Sequence, residues 1–160
     1  MSFLNFFKRK HGENNTPPIL KKESILINVD SVDKFKAIEM AGQILVDGGY
    51  VQPEYIEEMK KREKEITTYI GNGVAIPHGT SQSKKYINFS GISVIQFPEG
   101  VNFGKDKTAY LVIGIAAKGD EHLKILQNLA LACQNPEESE LLIKAKTKEE
   151  ILKKLSVVED

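Results

Sequence analysis

Ala109-Tyr110-Leu111-Val112-Ile113-Gly114-Ile115-Ala116-Ala117 is almost wholly apolar. A strand with one wet face alternates apolar and polar residues, whereas a strand covered on both faces has no such need. The run therefore reads as an inner strand with a layer on each side. Working outward, Ile92 to Phe97 reads as a second strand and Ile25 to Val29 as a short one. Phe35, Ile38, Ala41 and Leu45 recur at helical spacing before the Gly48-Gly49 stop, and Pro53 with Glu54 opens a further helix. Past the strand, Asp120 can cap a helix from Glu121 to Cys133, and Asn135-Pro136 starts another. Thr147 and Glu150 have capping-box spacing ahead of a last helix. Helices interleaved with buried strands predict an α/β fold, a three-layer sandwich in which a mixed β-sheet is flanked by helices on both faces.

The chain has 160 residues, enough for one domain that buries roughly 70% of its unfolded surface. Lysine plus arginine total 22 and aspartate plus glutamate 22, so the net charge is zero. That balance argues against sequence-independent nucleic-acid binding, which needs a strong positive field. One cysteine, Cys133, rules out an intramolecular disulfide, and its place on an apolar helical stripe makes it a small core residue. No apolar run reaches the roughly 20 residues that span a bilayer, and no secretory leader pattern precedes the domain, so a cytoplasmic protein is expected. Residues 1–18 read as a disordered tail, with Phe3, Leu4, Phe6 and Phe7 ahead of a basic cluster and a proline-ended polar stretch. The domain is expected over residues 19–160.

The chemistry concentrates in Ile76-Pro77-His78-Gly79-Thr80. Proline fixes its own φ and extends the residue before it, while glycine permits unusual φ or a close backbone approach. A histidine between them sits on a stiff stalk, suited to a nucleophile that takes a group and passes it on, although Pro-His-Gly also suits a plain turn. Gly79 and Thr80 would offer an N–H and a hydroxyl to a bound oxyanion. On the Pro53 helix, Tyr55, Met59, Arg62 and Ile66 fall within about 60° of one another, so Arg62 continues the apolar stripe. It is either a snorkelling arginine or a guanidinium aimed inward at an anion. The run from Glu57 to Glu65 is mostly a solvated face. On the helix after Asp120, His122 shares a face with Leu126, Leu129 and Cys133, as a core histidine or a second functional one. Metal-ligand spacing, a Walker loop and a dinucleotide fingerprint are missing, so no metal and no nucleotide cofactor are expected.

Gly48-Gly49-Tyr50-Val51, Pro53-Glu54-Tyr55, Arg62-Glu63-Lys64, the Pro-His-Gly stretch, Pro98-Glu99-Gly100-Val101 and Glu121-His122-Leu123 follow one another in a familiar order. From about Leu20 to Leu155 the chain resembles the mannitol/fructose-type IIA domains of the bacterial phosphoenolpyruvate-dependent sugar phosphotransferase system, the mannitol-specific ones closely. The resemblance implies that His78 accepts a phosphoryl group from HPr and passes it to a cysteine of the IIB component, for sugar uptake by the membrane IIC component. It also implies active-site roles for Arg62 and His122, with membrane association only through the transporter. Relatives often carry a glutamate where this chain has Asn72, a departure that speaks against an acidic neighbour tuning His78. A regulatory relative with the same histidine, signalling nutrient state by protein binding, is the alternative; Glu121-His122 and Pro98-Glu99-Gly100 favour transport.

Overall fold

The apolar run does become a strand buried on both sides. The computed structural model describes residues 16–119 and 121–156, and the side chains of all of these except 121–123 and 156. Strands β1 (Ile25–Leu26), β2 (Tyr69–Gly71), β3 (Val74–Ala75), β4 (Gly91–Asn102) and β5 (Thr108–Ala116) form one sheet in the order β1-β4-β5-β3-β2. β4 and β5 pair antiparallel from Gly91↔Ala116 to Asn102↔Thr108. β1 lies parallel to β4, β3 parallel to β5, and β2 antiparallel to β3, so the sheet is mixed as expected.

Alternate residues of β5 serve different cores. Leu111, Ile113 and Ile115 pack with Ile125 and Leu129 of α3 (Glu121–Cys133), Leu142 of α4 (Pro136–Ile143), and Ile151 and Leu155 of α5 (Lys148–Ser156). Val112 and Ala116 pack with Ile38, Ala41 and Leu45 of α1 (Lys34–Asp47) and with Tyr55 and Met59 of α2 (Glu54–Glu65). Apolar burial on each face at about 25 cal/mol per Å² is what drives the three layers together. The helix ends follow capping chemistry. Asp33 accepts from the Lys36 N–H at 2.9 Å, and Asn135 from the Glu137 N–H at 2.8 Å. Thr147 Oγ1 accepts from the Glu150 N–H at 3.1 Å, while Glu150 Oε1 reaches back to the Lys146 N–H at 3.1 Å. The cap expected from Asp120 lies outside the described residues, as does the tail up to residue 15. Thr16 to Pro18 are half-buried, and the Pro18 carbonyl accepts from the Tyr50 hydroxyl.

Several local expectations change. Pro53 is the N-cap of α2 rather than a residue of its first turn. β1 keeps only two of the five residues from Ile25 to Val29, and β4 runs on to Asn102 past a register shift between Gln96 and Val101. The hairpin of β2 and β3 was not read from the sequence. It turns on Asn72 at φ 54° and Gly73 at φ 77°, an Asn-Gly pair of the kind that favours tight hairpins because both residues tolerate positive φ. Asn72 Nδ2 donates to the Cys133 carbonyl at 2.9 Å and the Gln134 carbonyl at 3.0 Å, which locks the turn onto the C-terminal end of α3. Cys133 is buried as expected, and burial pushes its thiol up to about 11. On α2 the stripe ends early: Ile66 follows the helix in extended conformation and is 64% exposed. Glu63, placed on the solvated face by its neighbours, is buried instead, at 3% exposure.

Candidate functional site

Beyond β3 the chain continues along β5 as Ile76-Pro77-His78-Gly79. The Ile115 N–H donates to the Pro77 carbonyl at 2.9 Å, and His78 bridges to Ile115 in parallel register. Tyr55 closes the loop from α2: its hydroxyl donates to the Ile115 carbonyl at 2.7 Å and accepts from the Gly79 N–H at 2.9 Å. Burial pushes this phenol up to about 12, so it stays protonated and can hold both bonds at once. Gly79 does not adopt left-handed φ. It is there for closeness, since a Cβ would stand 2.3 Å from Ser83 Oγ and 2.6 Å from Tyr55 Cε1.

The imidazole of His78 is half-buried at the C-terminal edge of the parallel pair β3 and β5, where α/β sheets generally open their crevices. Its Nδ1 lies 2.8 Å from the Ile76 carbonyl. A carbonyl can only accept, so Nδ1 carries a hydrogen, and in the neutral form of the ring the lone pair is on Nε2. The ring lines a cleft of about 200 Å³ together with Gly79, Thr80, Ser81, Lys84 and Ala117.

The other expected site residues are arranged less simply. Gly79 and Thr80 do lie beside His78, but the Gly79 N–H is taken by Tyr55, and Thr80 Oγ1 donates to Glu58 Oε1 at 2.5 Å. Arg62 does not line the cleft. Its Nη1 donates to the Ile66 carbonyl at 2.7 Å, capping the end of its own helix. The side chain of His122 lies outside the described residues. Its helix α3 starts at Glu121, four residues after the cleft residue Ala117. Lys84, Tyr55 and Glu58 were not anticipated as site neighbours. Tyr55 alone had left a signal, as the leading residue of the stripe that holds Arg62. Among the described residues no three metal-ligating side chains converge.

A family model described as the phosphoenolpyruvate-dependent sugar phosphotransferase system, EIIA 2, matches residues 18–157. The chain belongs to this EIIA 2 family. It is 50% identical over 141 residues to the mannitol-specific phosphotransferase enzyme IIA component of Geobacillus stearothermophilus, which covers 88% of this chain and 97% of that relative. The crystal structure of IIA mannitol from Escherichia coli superposes with a TM-score of 0.79 at 40% identity, over 85% of this chain and 98% of the other. A complex of that organism's enzyme IIA with phosphorylated enzyme IIB matches with a TM-score of 0.80 at 40% identity, over 85% and 96%.

In this EIIA domain the larger cleft is not the one that His78 lines. A cavity of about 720 Å³ lies around Gly73, Gln96, Pro98, Tyr110 and Ile143, at the hairpin end of β3. No histidine is among the described residues that line it. The smaller cleft has the imidazole.

Proposed function

We propose that this chain is the mannitol-specific IIA phosphoryl carrier of a sugar phosphotransferase system. It accepts the group from HPr on His78 and passes it to a cysteine of the IIB component, in the cytoplasm. The observation that carries the reading is the bond from His78 Nδ1–H to the Ile76 carbonyl at 2.8 Å, which leaves Nε2 as the nucleophile. The names of the mannitol IIA relatives and the IIA–IIB complex support the choice of sugar and partner. Among the described residues no helix is long and apolar enough to cross a membrane.

Nε2 attacks phosphorus in line, forming an N–P bond as the bond from phosphorus to the donor's leaving group breaks. The ring becomes cationic as it does so, and the Ile76 carbonyl stabilises that charge through the retained Nδ1–H. The reverse displacement, by a IIB thiolate, returns the lone pair to Nε2. Such transfers need little covalent help from the protein, so positioning and charge carry them. Lys84 stands at the cleft and Arg62 near the end of α2 as cations for the equatorial oxygens. The guanidinium has five donors, and its bond to Ile66 leaves others for a phosphoryl group brought in by a partner. Thr80 serves only by exchanging its Glu58 bond for one to phosphate. His122 acts from the first turn of α3 on the phosphoryl group or on His78.

The test is labelling by phosphoenolpyruvate with Enzyme I and HPr present. The wild-type chain should take up an acid-labile, base-stable label, and His78→Ala should take up none while keeping its circular dichroism spectrum. Label retained by a folded His78→Ala protein removes His78 from the role.

A further inference from the structure

Glu63 is a buried carboxylate that the transfer chemistry leaves unused. Its side chain is 0% exposed. Oε1 accepts two bonds from one residue, the Thr68 N–H at 2.8 Å and the Thr68 Oγ1–H at 2.6 Å. Among the described residues Oε2 has no hydrogen-bond partner, and its ion-pair contact is Lys34 Nζ at 3.6 Å. Burying a charge so sparsely paired is unfavourable, and a well-packed apolar side chain would generally serve stability as well or better. The bonds that leave Thr68 indicate what the carboxylate does instead. The Thr68 carbonyl accepts from the Ile76 N–H at 3.0 Å, and the Ile76 carbonyl accepts from His78 Nδ1–H at 2.8 Å. Four hydrogen bonds thus run from the carboxylate to the imidazole through Thr68 and Ile76.

We propose that Glu63 is a positioning residue for the phosphoryl-accepting histidine, fixing the Ile76 carbonyl through Thr68 so that the ring is held in its Nδ1–H form with Nε2 facing the cleft. The proposal rests on the carrier reading of His78 for its meaning, but not for its measurement. Thr68 stands in the connection from α2 to β2, which has no regular structure of its own to hold it. Arg62 grips the same connection at the Ile66 carbonyl, and Glu63 grips it two residues later. A charged acceptor holds two donors on one oxygen more firmly than a neutral amide does. In Glu63→Gln the new amide NH₂ also faces Lys34, donor against donor. Tether and ring orientation should loosen together.

The experiment reads the ring nitrogens of His78 by ¹⁵N NMR in the unphosphorylated, full-length protein, beside single-turnover phosphoryl uptake from phospho-HPr. Wild type should show a protonated Nδ1 and an unprotonated Nε2. Glu63→Gln should populate the Nε2–H tautomer and slow uptake by about tenfold, with HPr binding unchanged. A folded Glu63→Gln protein with the wild-type ring pattern and rate overturns the proposal. If that variant does not fold, Thr68→Val and Thr68→Ser decide. Thr68→Val, which loses the hydroxyl bond, should shift the tautomer, and Thr68→Ser, which keeps it, should not; equal ring patterns in the two overturn the proposal. A protein in which the tautomer shifts as stated but wild type accepts no phosphoryl group refutes the carrier reading and leaves this one standing.

Discussion

The two ends of β3 solve opposite problems. At the Asn72 end a side chain serves the backbone: one amide group occupies the Cys133 and Gln134 carbonyls and seals a hairpin against α3. At the His78 end the backbone serves a side chain: the Ile76 carbonyl, the Ile115 strand edge and the Tyr55 hydroxyl fix a ring that stays half-exposed. Both ends are firmly bonded. Only the second directs its bonds to presenting an imidazole, so on the carrier reading proposed above the same loss of order should cost stability at one end and rate at the other.

The sharpest way to break that contrast is Gly79→Ala. A methyl at this position meets Ser83 Oγ and Tyr55, and must push the loop away from α2. Displacement of a nucleophile by about an ångström is enough to slow phosphoryl uptake on the order of a hundredfold. Single-turnover labelling beside a urea melt checks it, and a near-normal rate would mean that the loop's exact seat does not matter. Asn72→Ala should do the converse. It removes two bonds to carbonyls and leaves alanine at left-handed φ, costing about 2 kcal/mol of unfolding free energy with labelling rate unchanged. A slowed rate in a stable Asn72→Ala protein would couple the two ends and undo the comparison.

A further effect appears only in alkali. Cys133 is raised from 9.0 to about 11 and Tyr55 from 10.0 to about 12, each by burial. For groups whose folded value is raised, stability is complete below the unfolded value and is lost as pH climbs through the folded one. Stability should therefore hold up to about pH 9, decline first from the Cys133 end, and decline further between pH 10 and about 12 from Tyr55 and from Tyr50, which burial raises to the same value. Urea midpoints across that range for wild type, Cys133→Ala and Tyr55→Phe separate the Cys133 and Tyr55 contributions. Flat midpoints in wild type would show none of these groups to be as buried as its surroundings indicate.

The contrast also marks where the sequence was legible. The inner strand at 109–117, the helix from Glu121 to Cys133 and the caps at Asn135 and Thr147 rest on burial and local hydrogen bonding, which short stretches declare. His78 was legible because proline and glycine constrain it directly. The Asn72-Gly73 turn was there to be read between Tyr69-Ile70 and Val74-Ala75, but the flanking strands are three and two residues long, too short for a period of two to show. Glu63 was beyond reach. Its neighbours on α2 are solvated charges, and it is buried only because the chain folds back at Thr68 to meet it. Arg62 was legible only in part: helical spacing gave its face, while the Ile66 carbonyl at the helix end gives its direction.

Cys133 has a bearing on fidelity. A protein that hands phosphorus to a neighbour's sulfur must not lose it to its own. Here the sole sulfhydryl of the chain is buried in the core, on the residue whose carbonyl receives Asn72 at the far end of β3, and is uncharged at neutral pH, so no internal short circuit competes with delivery.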